Sequence, residues 1–186
     1  MLSYDDHAIL ILYRLFYDIE FSVKRENNIE THIMTQKMGY LMDRSIIPVG
    51  DYGFFWGKYG PYSECLENRL QRIDVHPVTV AKFYEEYPKD SHLLFNEDIN
   101  SFFSLRRLNK VNELSKALCI HDHREDARSW VELLSSLLYV YQTGRSNETF
   151  ETVNMRLNAK RDCFKNNDIN RNAWEALKSA GLVTVA

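Results

Sequence analysis

The sequence predicts a mainly helical protein with one small β element. Apolar residues recur at the three- and four-residue spacing of amphipathic helices through most of the 186 residues. One stretch breaks this pattern: GDYGFFWGKYGPY, residues 50–62, holds six aromatic side chains and four of the seven glycines. Because no linker, repeat or low-complexity run divides the chain, we expect a single helical domain over residues 1–186, with a winged-helix arrangement as an alternative.

The first two helices are predicted from their apolar spacing. Residues 5–23 carry apolar side chains on one face and begin with acidic residues that can act as caps. A second helix is predicted from Thr31 through THIMTQKMGYLMDR, and its stripe of Met34, Met38, Leu41 and Met42 is typical of a core-facing surface. The Pro and Gly residues of SIIPVGDYG end this helix.

The aromatic stretch is predicted to be a strand. Alternation places Phe54, Trp56 and Lys58 on one face and Phe55 and Tyr59 on the other. Since both faces carry rings, we expect a strand covered on both sides, or covered on one side and free to bind a partner on the other. In either case Phe54 or Phe55 is expected in the core.

A short helix, SECLENRLQRI, is predicted to follow, beginning at Gly60-Pro61 or at Ser63. Its spacing directs Cys65, Leu66, Leu70 and Ile73 inward and leaves Arg69 and Arg72 outward.

The second half of the chain is predicted to be almost entirely helical. After a mixed segment over 74–88, a long helical region follows Asn96, and the polar loop CIHDHRED then leads into ARSWVELLSSLLYVYQTG. Apolar residues surround most of this last helix, so we expect it near the centre of the fold, with Gly144 as its cap. Two further helices are predicted, one capped by Ser146 or Asn147 and reaching about Phe164, the other capped by Asp168 and ended by Gly181.

Composition argues against several functional classes. The net charge of −3 gives no overall basic field for nucleic acid. The three cysteines are odd in number and form no CxxC pair, which favours a reducing cytoplasm over a disulfide framework. The N-terminus lacks the basic start of a signal peptide, and no apolar run approaches the length of a membrane span. We therefore expect a cytoplasmic protein with no membrane segment.

Catalytic signatures are absent from the sequence. It contains no GxSxG, GxxxxGK[ST], GxGxxG or HExxH motif, and we assign no catalytic residue and no cofactor. His121, His123 and Glu125 could bind the metal of a metal-dependent hydrolase. They are weak candidates, because polar loops before helices commonly hold such residues as caps. Glu132 stands on an otherwise apolar helix, where a paired structural glutamate is favoured over a catalytic one.

Four motifs carry a resemblance to a known family. The segments TQKMGYLMDR, YGFFWGKYGPYSECLENRL, SWVELLSSLLYVY and AWEALKSAGLV resemble the YwgA-like family of small bacterial proteins, and more distantly the Panacea or SocA-like antitoxin domains, with their QKLxYL helix and Gly-Pro turn. The matching positions are Lys37, Tyr40, Leu41, Tyr59, Gly60, Pro61, Tyr62, Ser63, Glu132, Leu133 and Ser136.

The absence of a catalytic constellation and the resemblance together favour a bacterial interaction or regulatory module without enzymatic activity. Such a module acts by protein contact, as an antitoxin-like or defence-associated protein, and the predicted partner-binding residues are Trp56, Lys58, Tyr59 and Tyr62. The alternative is a winged-helix transcriptional regulator that contacts DNA through Lys58, Arg69 and Arg72. Three cations on an acidic chain neutralise few phosphates, which favours the protein partner.

Overall fold

The computed structural model describes residues 29–45, 52–74, 110, 113–145 and 148–184, and these are mainly helical with a small two-stranded antiparallel sheet, as predicted. The elements, in chain order, are α1 (Ile29–Asp43), β1 (Phe55–Gly57), β2 (Gly60–Tyr62), α2 (Glu64–Asp74), α3 (Ala127–Gln142), α4 (Phe150–Lys160) and α5 (Asn167–Ser179), with 3-10 segments at Ile120–Asp126 and Asp162–Phe164. The helix predicted over 5–23 and the mixed segment after Asp74 lie outside the described residues. Of the predicted region after Asn96, residues 113–117 are described, and they are helical.

Helix α3 is the centre of the described fold, as its sequence predicts. Side chains around most of its circumference are buried, including Trp130, Leu134 and Leu138, and it packs against α1, α4, α5 and β2. A helix that is apolar nearly all round can be stable only where neighbours cover it. Its C-cap is Thr143 rather than the expected Gly144.

Helix α1 places its methionine stripe in the core, which confirms the prediction for that surface. Met38, Leu41 and Met42 are buried, and Met34 packs against the core from a half-buried position. The helix begins at Ile29, two residues before the expected Thr31. None of the described helices is both long and apolar enough to cross a membrane.

The aromatic stretch is a hairpin, which corrects the expected strand through Tyr59. Phe55 pairs with Tyr62, Trp56 with Pro61 and Gly57 with Gly60, and residues 58–59 form the turn. Gly60 has a φ of +91°, a conformation that glycine adopts without steric cost, so the chain reverses here. Gly60-Pro61 therefore belongs to β2 and does not start the next helix.

Phe55 shows that the two faces of the hairpin are not both covered. Its ring is 46% exposed, whereas Phe54 packs edge-to-face on Tyr40 with ring centroids 5.1 Å apart and contacts the core from a half-buried position. Cover on both faces, one of the two expected arrangements, is therefore wrong for Phe55, whose ring lies between Tyr62 of the neighbouring strand and solvent.

Ser63 caps α2 and so fixes where the hairpin ends. Its hydroxyl oxygen accepts a hydrogen bond from the Leu66 N–H at 3.1 Å. Leu66, Leu70 and Ile73 are buried, as predicted. Cys65 is exposed, contrary to the prediction, because it lies one residue and therefore about 100° away from that buried row.

The C-terminal helices follow the predicted order with different caps. Helix α4 is capped by the Thr149 side chain and ends at Lys160, before the expected Phe164, because Arg161 has an extended backbone. The cap of α5 is Asn166, whose side chain accepts the N–H groups of two residues in the first turn, and not Asp168. The expected caps Ser146 and Asn147 lie outside the described residues.

Helix α5 ends at a glycine, as the sequence predicts. Gly181 has a φ of +68°, and its N–H donates to the Lys178 carbonyl at 2.9 Å. The Leu182 N–H donates to the Leu177 carbonyl at 2.9 Å. This pair of hydrogen bonds is a Schellman motif, in which a left-handed residue satisfies the last free carbonyls of a helix.

Candidate functional site

A groove of about 720 Å³ separates α1 from the hairpin and the start of α2. A cavity of this size accommodates a small molecule or a few side chains of a peptide. The residues that line it are His32, Ile33, Gln36 and Lys37 from α1, Phe55, Gly57, Lys58, Tyr59 and Tyr62 from the hairpin, and Glu67 and Gln71 from α2.

Aromatic rings form one wall of the groove. Phe55 and Tyr62 are cross-strand partners, and their rings meet edge to face with centroids 5.6 Å apart. Tyr62 is half-buried, whereas Phe55 is the ring of the hairpin that solvent reaches most freely. The wall therefore presents apolar surface at the mouth of the groove.

Lys37 lines the same groove, although its side chain is almost completely buried. The residue is 2% exposed, and its Nζ donates to the carbonyl oxygen of Pro61 in β2 at 2.5 Å. Burial lowers the pKa of Lys37 to about 7; the carboxylate of Glu132 opposes this change, and the nearby Arg161 guanidinium adds to it. A large fraction of this amine is therefore neutral near pH 7.

Glu132 and Arg161 form an ion pair behind Lys37. Glu132 is 6% exposed, and its Oε1 accepts a hydrogen bond from the Arg161 guanidinium. The guanidinium carbon also lies 5.7 Å from the centroid of the Tyr59 ring and 5.1 Å from that of Phe164. The predicted pairing of Glu132 is confirmed.

Ser136 lies one helical turn after Glu132, directly under the hairpin. Its hydroxyl is buried and has no hydrogen-bond partner among the described residues. A Cβ atom on Gly60 would lie 2.6 Å from Ser136 Oγ and 3.7 Å from Lys37 Nζ. Only glycine allows the hairpin backbone to approach this closely, and the approach brings α1 and α3 together beneath β2.

A second polar network joins the other side of the groove. Gln36 Nε2 donates to the Ser63 carbonyl at 3.1 Å and to Glu67 Oε2 at 3.1 Å, and Gln36 Oε1 accepts the Ser63 N–H at 3.0 Å. His32 Nδ1 lies 3.1 Å from Glu67 Oε1. These bonds fix α1 against the first turn of α2, so the wall opposite the rings is held in place.

Of the predicted partner-binding residues, Lys58, Tyr59 and Tyr62 line the groove, and Trp56 does not. The Trp56 ring is half-buried 5.5 Å from that of Tyr139, and Lys160 Nζ lies 4.6 Å from its centroid. Trp56 therefore holds the hairpin onto α3 and α4, while Lys58 is exposed at the turn.

The predicted DNA-contacting arginines lie on α2, outside the groove. Arg72 is exposed, whereas Arg69 is half-buried and hydrogen-bonded to Tyr52. Burial raises the pKa of the Tyr52 hydroxyl, and the Arg69 charge partly offsets that effect. Lys58, the third predicted DNA contact, lies on the hairpin turn.

The weak metal candidates are described only in part. The ring of His123 stacks on Trp130, with centroids 3.8 Å apart and planes inclined by 16°. The side chains of His121 and Glu125 lie outside the described set. Among the side chains that are described, no cluster of three His, Cys, Asp or Glu residues could hold a metal ion.

Sequence reasoning from composition and motifs did not identify Lys37, Gln36 or Phe55 as site residues. Lys37 was marked only by the family resemblance, yet it lies three residues after Met34 and four before Leu41, inside the apolar stripe of α1. A lysine at such a position is a signal of a buried charge that needs a partner.

Comparison with known proteins shows no relative of this chain. No protein-family model matches it, and no match is found among curated proteins or solved structures.

Proposed function

We propose that this chain is a bacterial, non-enzymatic interaction module that binds a segment of a partner protein in the groove beside Phe55. The observation that carries this proposal is the exposed ring of Phe55 at the mouth of a groove walled by Tyr62 and Tyr59. Aromatic side chains are the usual anchors of protein interfaces. The resemblance to antitoxin-like domains supports a cytoplasmic regulatory role, antitoxin-like or defence-associated.

The charges of the groove indicate an acidic, apolar partner segment. Lys58 is exposed at the rim, and among the described residues no carboxylate forms a salt bridge with it. The lining carboxylate of Glu67 already bonds His32 and Gln36. An incoming carboxylate therefore meets a cation, while an apolar side chain beside it packs on Phe55 and Tyr62.

The test uses a displayed library of random peptides selected against the purified protein. We expect enrichment of peptides that combine acidic and apolar residues, and we expect Phe55→Ala to weaken the best of them by about tenfold or more, as loss of an interface anchor does. Met155→Ala is the matched control, because Met155 is 65% exposed on α4 and does not line the groove. Failure to enrich any peptide, or equal binding to the Phe55→Ala protein, overturns the proposal.

Binding of duplex DNA is the second candidate. It is supported by exposed Arg72 on α2 and exposed Lys58 on the hairpin. A gel-shift assay with the promoter of its own gene, at low and moderate salt, separates the two proposals. If Arg72→Ala and Lys58→Ala both weaken the retardation, the result favours DNA binding. If the duplex is not retarded at low salt, this candidate is eliminated.

A further inference from the structure

We propose that Lys37 is a carbonyl-capturing amine, which condenses with a small aldehyde or ketone whose apolar or aromatic group occupies the groove. This inference concerns the same groove as the proposed peptide site, but it does not depend on peptide binding. It rests on the position of the amine, on its hydrogen-bond partner and on the residues that line the groove.

The position of Lys37 combines burial with contact to a cavity. The residue lines the groove, yet its side chain is shielded by β2 and its Nζ bonds to a backbone carbonyl rather than to a carboxylate. The nearby carboxylate, Glu132, is already held by Arg161. Among the residues that the structure describes, the amine therefore has no salt bridge of its own to fix it as an ammonium ion.

The environment favours the nucleophilic form of the amine. Burial lowers the pKa of Lys37 to about 7, so that its nitrogen lone pair is free in much of the protein at neutral pH. Lysines that act as nucleophiles toward carbonyl compounds are activated in this way, by removal from water or by a neighbouring cation. Here both are present, since Arg161 lies close to the amine.

The reaction balances with no oxidant or reductant. The Lys37 nitrogen attacks the carbonyl carbon and a C–N bond forms, after which the carbonyl oxygen leaves as water with one hydrogen from the amine and one proton from solvent. The iminium nitrogen keeps its second hydrogen, which can donate to the Pro61 carbonyl as the amine does now. The positive charge that the iminium gains from the solvent proton lies near Glu132, which favours it.

The lining of the groove defines the class of ligand. Ile33, Phe55, Tyr59 and Tyr62 line the groove together with Lys37 and give it apolar and aromatic surface. Such a lining suits an aromatic or branched aliphatic carbonyl compound better than a sugar, whose hydroxyl groups would lose hydrogen bonds with water.

The test is reductive trapping on the intact protein. The protein is incubated at pH 7 with benzaldehyde and sodium cyanoborohydride, and the modified lysines are located by peptide mass spectrometry. We expect Lys37 to be modified at least about tenfold faster than Lys58, although Lys58 is exposed and lines the same groove, because a lowered pKa supplies neutral amine.

The controls separate a specific site from general reactivity. Lys165→Arg, a change at a lysine that is 66% exposed and does not line the groove, should leave trapping at Lys37 unchanged. The preference for Lys37 should vanish in urea, where every lysine is in water. If modification of the folded protein follows exposure, so that Lys58 reacts and Lys37 does not, the proposal is wrong. This outcome is independent of the peptide selection, which is measured on protein that has not been treated with aldehyde.

Discussion

Phe55 and Trp56 are adjacent, but Phe55 is exposed and Trp56 packs on α3. Replacement of each by alanine should therefore change the free energy of unfolding by different amounts. Trp56 packs on Tyr139 and carries Lys160 over its face, so Trp56→Ala should lower the free energy of unfolding by about 2–3 kcal/mol, somewhat less than for a fully buried ring. Phe55→Ala should cost less than about 1 kcal/mol, since nearly half of Phe55 is exposed. Urea denaturation measures both. Equal losses would show that Phe55 is structural and would remove it as an anchor.

Lys37 should make the stability of the protein depend on pH near neutrality. Its pKa falls from 10.5 to about 7 on folding, so between these values the unfolded chain binds more protons than the folded one. The free energy of unfolding should therefore rise with pH, by up to about 1.4 kcal/mol per unit, and this gain is lost as the pH falls through 7.

The measurement is urea denaturation at pH 7.5 and 8.5, below the pKa of the buried tyrosines Tyr40 and Tyr52, which burial raises. Lys37→Met removes the titrating group while keeping a long side chain, and it should abolish the slope. A slope that persists in Lys37→Met would assign the effect to another group.

Gly181, which follows α5, and Gly60, which begins β2, both have positive φ and allow a paired prediction. Gly181 and Gly60 both occupy left-handed backbone, but only Gly60 has a close neighbour, because its Cβ would lie 2.6 Å from Ser136 Oγ. Gly181→Ala should cost about 1–2 kcal/mol from backbone strain alone. Gly60→Ala should cost about 3 kcal/mol or more, since the hairpin must also move away from α3.

The second variant that tests the hairpin is Ser136→Ala, which removes the oxygen that the new Cβ would strike. Combined with Gly60→Ala, it should restore part of the lost stability but not the part caused by the φ of +91°. Thermal melts of the two single variants and the double variant give the coupling directly. Strict additivity of the two changes would mean that the hairpin does not rest on Ser136.

Two buried charges and one half-buried charge join three separate parts of the molecule: Lys37 from α1, Glu132 from α3 and Arg161 after α4. Glu132→Gln leaves two cations close together with no carboxylate, and it should lower the free energy of unfolding by about 2–4 kcal/mol at pH 6. The loss should be smaller at pH 8.5, where Lys37 is mostly neutral.

The matched control for this variant is Glu151→Gln, which breaks an exposed pair with Arg171. The two side chains of that pair are 69% and 56% exposed, so the change should leave the free energy of unfolding nearly unchanged at either pH. Denaturant unfolding of both variants at the two pH values measures the difference. A pH-independent loss in Glu132→Gln would argue against coupling to Lys37.

Sequence by itself determined the helical elements and their buried faces. The rows of Met38 and Leu41 in α1 and of Leu66 and Leu70 in α2 lie where their spacing predicts, because helical periodicity is set by local geometry and burial acts on whole faces. The central position of α3 could be predicted, because apolar residues surround most of this helix. The end of α5 at Gly181 could be predicted, because the left-handed residue that follows a helix is a local requirement of the backbone.

Only the tertiary structure decided which side chains form the site. The hairpin turn at 58–59 exposes Phe55 and turns Trp56 toward α3, a choice that alternation alone cannot make when both faces carry rings. The meeting of Lys37 with Glu132 and Arg161 joins residues far apart in the chain. The close approach of Gly60 to α3 shields the Lys37 amine from water, and this loss of water lowers the pKa of the amine. Desolvation depends on what covers a group in space, and the neighbours of that group along the chain do not specify its cover.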